Sequence, residues 1–184
     1  MSTDAEPDLP RPQRIGLFAA AALVVLGLDV ASKVLVVDKL PMTHTPVRIL
    51  GGAIYLDQTR NSGAAFSLGT GFTVILTAVA VAVVLVLIRV AGRLRSTGWA
   101  MAFGLILGGA IGNLIDRFFR APGVGRGHVV DWISAFGPNG EHWPIFNLAD
   151  SGIVIGAVLA AVLALRGIEF DGSRGSGKQA REDA

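Results

Sequence analysis

The sequence predicts an integral membrane protein, mainly α-helical, with four transmembrane helices and a small sheet outside the membrane. Three observations carry this. The chain of 184 residues is 52% hydrophobic and only 16% charged, against about 25% charged in a soluble domain. Charge is absent from residues 15–28, 61–88, 96–115 and 151–165. An uncharged apolar run of about 20 residues crosses the hydrocarbon as a helix.

The first and last charge-free runs are short alone. The first becomes long enough if Asp29 and Lys33 lie within the helix, the last if Asp150 does. The predicted spans are therefore about 15–37, 71–91, 98–116 and 147–167. The leader MSTDAEPDLPRPQR is long and partly acidic, and no clean small-x-small site follows the first run. Span one is thus expected to be retained and not cleaved as a signal peptide. Lys and Arg flanking the spans number nine on the side of both termini and six on the other. That bias places both termini in the cytoplasm and both long loops outside. The pI near 9.5 follows from these flanking residues, so no nucleic-acid partner is implied.

Between spans one and two, Gly51-Gly52 marks a turn between the β-prone pieces VRIL and AIYLDQT, which together predict a small sheet on the membrane. Span two, FTVILTAVAVAVVLVLI, has no polar feature beyond Thr and reads as a lipid-facing scaffold. In span three, Gly104, Gly108 and Gly112 repeat every four residues, which suits close helix packing. Between spans three and four, GPNG at 137–140 signals a turn, and Trp132 and Trp143 flank it at the level that Trp favours, the headgroups. The ends of the chain, 1–14 and 168–184, read as loose polar tails.

There is no Cys, which excludes disulfides and thiolate chemistry. The three His form no HExxH pattern, and no metal or other cofactor is expected.

An ionisable residue at membrane depth costs about 2.5–3.5 kcal/mol at a helix centre, so each such residue calls for a partner or a function. Asp29 and Lys33 stand four apart on one helix face and can neutralise each other. Asn113 and Asp116 share a face at the end of span three, and Arg117 can pair with a carboxylate. Asn61 precedes span two among small residues, which suits a tight turn or an extended ligand. Asp131 and Asp150 each end an apolar approach, and the span count returns both to the same outer interface. Two close carboxylates in a low-dielectric pocket share one proton. One can then take a proton from water while the other polarises a carbonyl, enough for metal-free peptide hydrolysis. Spacing alone also allows the simpler reading of two helix-end carboxylates, with Asp150 as an N-terminal charge. A transporter relaying protons is disfavoured, because four spans show no inverted repeat and the polar residues collect at one interface.

Five blocks in order resemble the lipoprotein signal peptidases, the type II signal peptidases of bacteria: D-x-x-S-K at 29–33, N-S-G-A-A-F-S at 61–67, G-G-A-I-G-N-L-I-D-R at 108–117, H-V-V-D-W at 128–132 and F-N-L-A-D-S at 146–151. Trp132 stands where that family usually has Phe. The resemblance covers about 15–167. It implies an intramembrane aspartic endopeptidase without cofactor, with Asp131 and Asp150 as the catalytic pair. It implies that Asn61, Asn113, Arg117 and Asn147 surround the substrate, and that Asp29, Lys33 and Asp116 form a polar framework. The implied substrates are prolipoproteins, cut just before a Cys that carries diacylglycerol. The implied partners are these substrates and membrane lipids, the unit a monomer, and the location the bacterial inner membrane with the active site at its outer interface. A β-cradle over about 42–69 and a second outer loop over about 117–146, mobile around 118–130, complete the expectation.

Overall fold

The computed structural model describes residues 12–63 and 71–174. Its four long helices are α1 (Ile15–Lys39), α2 (Gly71–Ala91), α3 (Thr97–Phe119) and α4 (Leu148–Leu165). Each is long and apolar enough to cross a membrane. The predicted spans lie on these helices, with ends that differ by up to three residues. Helix α3 is the central one: 50% of its apolar window is buried inside the protein, against 22% for α1 and α4 and 11% for α2. It packs mainly on α1 and α4.

The glycines of α3 make this possible. A Cβ at Gly104 would meet the Phe18 carbonyl oxygen and Ala21, and one at Gly108 would meet the Ala22 carbonyl oxygen and Val25. On another side of the helix, Gly109 lies against the Ala149 carbonyl oxygen of α4. Close backbone approach replaces the hydrophobic drive that lipid cannot supply between helices. Ser96 caps the start of α3 by accepting from Trp99 N.

Three antiparallel strands, β1 (Val47–Ile49), β2 (Ile54–Asn61) and β3 (Val129–Ala135), form one sheet in that order. The predicted pieces VRIL and AIYLDQT supply β1 and β2. The third strand comes from the second long loop, where VVD was read as an apolar approach to Asp131 and no strand was expected. Strand β3 is nearly all buried, and its pairing sets Thr59 opposite Asp131 and Asn61 opposite Val129. Residues 42–63 of the expected cradle are described; 64–69, and with them most of the N-S-G-A-A-F-S block, lie outside the described residues.

The expected tail at 168–184 begins later than that. Trp99 Nε1 donates to the Ile168 carbonyl at 2.7 Å, and its ring meets Phe170 edge-on at 4.6 Å between centroids. An apolar Phe170 inside a polar stretch is what holds this segment to the start of α3. Residues 1–11 and 175–184 lie outside the described residues.

Candidate active site

The site forms where α3 ends, α4 begins and β3 lies across them. Helix α4 opens with a capping box. Asn147 Oδ1 accepts from Asp150 N at 2.9 Å, and Asp150 Oδ2 accepts from Asn147 N at 3.2 Å. This reciprocal pair satisfies two otherwise unpartnered N–H groups at a helix start. Strand β3 is tied to the same place. Phe146 and Ile133 exchange main-chain bonds of 2.8 and 3.0 Å, and Val130 N donates to Asp116 Oδ2 at 3.1 Å. The turn at 137–140 folds on Ser134, whose Oγ donates to the Gly137 carbonyl at 2.6 Å and accepts from Gly140 N at 3.0 Å. The chain therefore returns from Asp131 to the cap of α4 through one short turn.

Amides hold both carboxylates. Asp131 accepts from Asn147 Nδ2 at 2.6 Å on Oδ1 and from Asn61 Nδ2 at 2.8 Å on Oδ2. Asp150 accepts from Asn113 Nδ2 at 2.8 Å on Oδ1, while its Oδ2 takes the capping bond. Each oxygen of each carboxylate thus has one N–H donor from the protein. Asn61 Oδ1 also accepts from Gly63 N at 2.7 Å, so this residue makes the tight turn and contacts the carboxylate as well.

Behind the amides lies a buried ionic cluster. Lys33 Nζ is 2.7 Å from Asp29 Oδ2 and 3.0 Å from Asp116 Oδ2. It also donates to Asn113 Oδ1 at 3.1 Å. Asp29 Oδ1 accepts from Ala149 N at 3.0 Å, which anchors the first turn of α4 to α1. The sequence reading paired Lys33 with Asp29 alone; Asp116 and Asn113 share it. Arg120, the residue that ends α3, also pairs with Asp116 through Nε. The i,i+4 spacing of Asp116 and Arg120 was available in the sequence. Arg117 is 9% exposed and lies within electrostatic reach of Asp131 and Asp150. Its Nη1 has no hydrogen-bond partner among the described residues.

Asp131 is 1% exposed. Burial first, and then the neighbouring Asp150 charge, push its carboxyl up to about 7, against the pull of the Asn61 and Asn147 bonds. The pair opens on two cavities that share Pro144 and Ile145. Asp131 lines one of about 430 Å³ with Asn61 and Ser62. Asp150 lines the other, an apolar groove of about 580 Å³ with Phe146, Val154 and Ile155. A polar backbone and an apolar chain could enter side by side and meet between the carboxylates.

Four apolar helices and an amide-held pair of carboxylates, Asp131 buried and Asp150 half-buried, define a multi-pass membrane protein with a two-carboxylate site. The family model described as signal peptidase (SPase) II matches residues 21–166. The lipoprotein signal peptidase of Rhodococcus jostii (strain RHA1) is 50% identical over 94% of this chain and 84% of its own length. That of Mycobacterium tuberculosis (strain ATCC 25618 / H37Rv) is 47% identical over 90% of this chain and 80% of its own. A solved bacterial membrane enzyme, 25% identical, superposes with a TM-score of 0.73 over 86% of this chain and 98% of that one. The chain belongs to the signal peptidase II family.

Proposed function

We propose that Asp131 and Asp150 are the catalytic pair of this protease, which removes the signal peptide from prolipoproteins. The observation that carries the reading is the shared amide frame: Asn147 donates to Asp131 from its side chain and to Asp150 from its backbone N–H, and each carboxylate has a second Asn of its own. Near neutral pH the pair holds one proton, consistent with the raised pKa of Asp131. The ionised carboxylate takes a proton from a water molecule, whose oxygen attacks the carbonyl carbon of the residue before the lipidated Cys. The protonated carboxyl hydrogen-bonds the carbonyl oxygen. As the tetrahedral adduct collapses, the C–N bond breaks and a proton passes to the leaving amine. The products are a signal peptide with a new carboxylate and a lipoprotein with a free amino group on its Cys.

Asn61, Asn113, Arg117 and Asn147 line the substrate in this reading, and Arg117 Nη1 is a donor available for a substrate carbonyl. Asp29, Lys33 and Asp116 hold the frame. The apolar groove beside Asp150 takes a diacylglyceryl chain, and the cavity beside Asp131 takes the peptide. Residues 15–167 make up the peptidase domain, 42–69 the cradle, and 118–130 a mobile cover. The protein works as a monomer in the bacterial inner membrane, with both termini cytoplasmic and the site at the outer interface.

Cleavage of one prolipoprotein with and without its diacylglyceryl group, by purified protein in detergent, tests the substrate assignment. Cleavage of the lipidated form alone, with Cys as the new N-terminus, is expected. Equal cleavage of the unmodified form would contradict it.

A further inference from the structure

A second polar cavity lies beside the carboxylate site, at the outer end of α3. It measures about 440 Å³ and is lined by Arg60, Phe119, Arg120, Ala121 and His128. No acidic residue among those described lines it. Arg60 also lines the cavity of Asp131 and Asn61, so the two cavities adjoin at this residue. The loop after α3 closes it. Gly127 N donates to the Arg117 carbonyl at 2.9 Å, and His128 N to the Ala121 carbonyl at 3.0 Å. A Cβ at Gly127 would strike the Asp116 carbonyl oxygen, so only Gly lets this loop fold back far enough to bring His128 to the two arginines.

Arg120 pairs with Asp116. Arg60 is half-buried and makes no ion pair among the described residues. Burial, and then the repulsion of Arg120, lower its pKa from the usual arginine range. Two guanidinium groups held side by side, with an imidazole, present a forked set of donors whose geometry matches a phosphate better than a single carboxylate. Phe119 is 84% exposed at the end of a membrane-spanning helix. It gives the cavity an apolar rim at the depth where phospholipid headgroups begin.

We infer that Arg60, Arg120 and His128 form a binding site for the phosphate of an anionic phospholipid, beside the peptide site and sharing Arg60 with it. It is a headgroup pocket of the kind that basic residues near spanning helices form, and its occupant would hold the outer end of α3 and strand β2 in register beside the carboxylates.

The test uses the full chain in a neutral detergent and three titrants: dihexanoylphosphatidylglycerol, dihexanoylglycerol, which lacks the phosphate, and inorganic phosphate. The readout is the melting temperature. A saturable rise with the phosphatidylglycerol alone is expected. Arg60→Gln should weaken the apparent affinity about tenfold or more, the scale of one charge-assisted hydrogen bond. If that variant does not fold, His128→Asn serves, with a loss in the same direction. An equal rise with dihexanoylglycerol, or unchanged affinity in the folded variant, would overturn the site. An equal rise with inorganic phosphate would overturn the lipid assignment and leave a soluble anion as the ligand.

Discussion

Lys33 Nζ stands 3.1 Å from Asn113 Oδ1, and that contact decides which end of the Asn113 amide faces Asp150. With the oxygen taken by Lys33 and by Asn147 Nδ2, Nδ2 is left to donate to Asp150 at 2.8 Å. A buried ion cluster on α1 and α3 thus orients a donor to a carboxylate on α4. Lys33→Met would strand Asp29 as a buried carboxylate and leave Asp116 with Arg120 as its one ion-pair partner among the described residues. A loss of about 3–5 kcal/mol in stability is expected, read from denaturation in detergent. Adding Asp29→Asn should recover part of it, because the stranded charge is gone. No recovery would show that Lys33 acts by packing alone.

Asn147 combines two jobs that substitution can separate. Asn147→Ala should lose the cap, about 0.5–2 kcal/mol, and the donor to Asp131 as well. Asn147→Ser keeps a good capping oxygen on a side chain too short to supply the second bond. The expected result is recovered melting temperature with turnover still low. Recovery of both would mean that the Asp131 contact is incidental.

The raised pKa of Asp131 makes stability depend on pH with a definite sign. Its carboxyl titrates near 7 in the fold and near 3.9 unfolded. Between these values the native state binds more protons. The contribution is therefore complete below about pH 4 and is lost as pH rises to about 7. In Asp131→Asn the melting temperature should lose this slope. Asp150→Asn removes the second cause of the shift and should move the remaining midpoint down. An unchanged midpoint would leave burial as the sole cause.

Gly108 sits where a Cβ would run into the Ala22 carbonyl of α1. Gly108→Ala improves helix propensity by about 1 kcal/mol, yet a net loss of stability is expected because backbone cannot move aside cheaply. Gly16, with open space around its Cβ position, is the control: Gly16→Ala should be neutral or stabilising. Equal effects at both positions would argue against close α1–α3 packing.

Much of the membrane part was legible, because absence of charge over about 20 residues has few other meanings. The ends were less so. Helix α3 runs on to Phe119 through Asp116 and Arg117, since Lys33 and Arg120 satisfy Asp116 laterally and the charge need not stop the helix. Strand β3 was not legible. VVDWISA becomes a strand through pairing with β2, some seventy residues earlier in the chain, and no local period announces it. Asp131 and Asp150 could be assigned to one interface from the span count. That three asparagines tie them together, with Asn147 touching both, depends on side-chain geometry that spacing does not carry. The cation cavity at Arg60 went unseen because its three members come from a strand, a helix end and a loop.

The most direct measurement is turnover of a diacylglyceryl-modified prolipoprotein by purified Asp131→Asn and Asp150→Asn variants, each first shown to melt cooperatively. Asparagine preserves the size of each side chain but cannot exchange the proton. Each variant alone should lose product formation by at least about a thousandfold, since residues that act as a unit fail together. Near-normal turnover by either folded variant would contradict the two-carboxylate account.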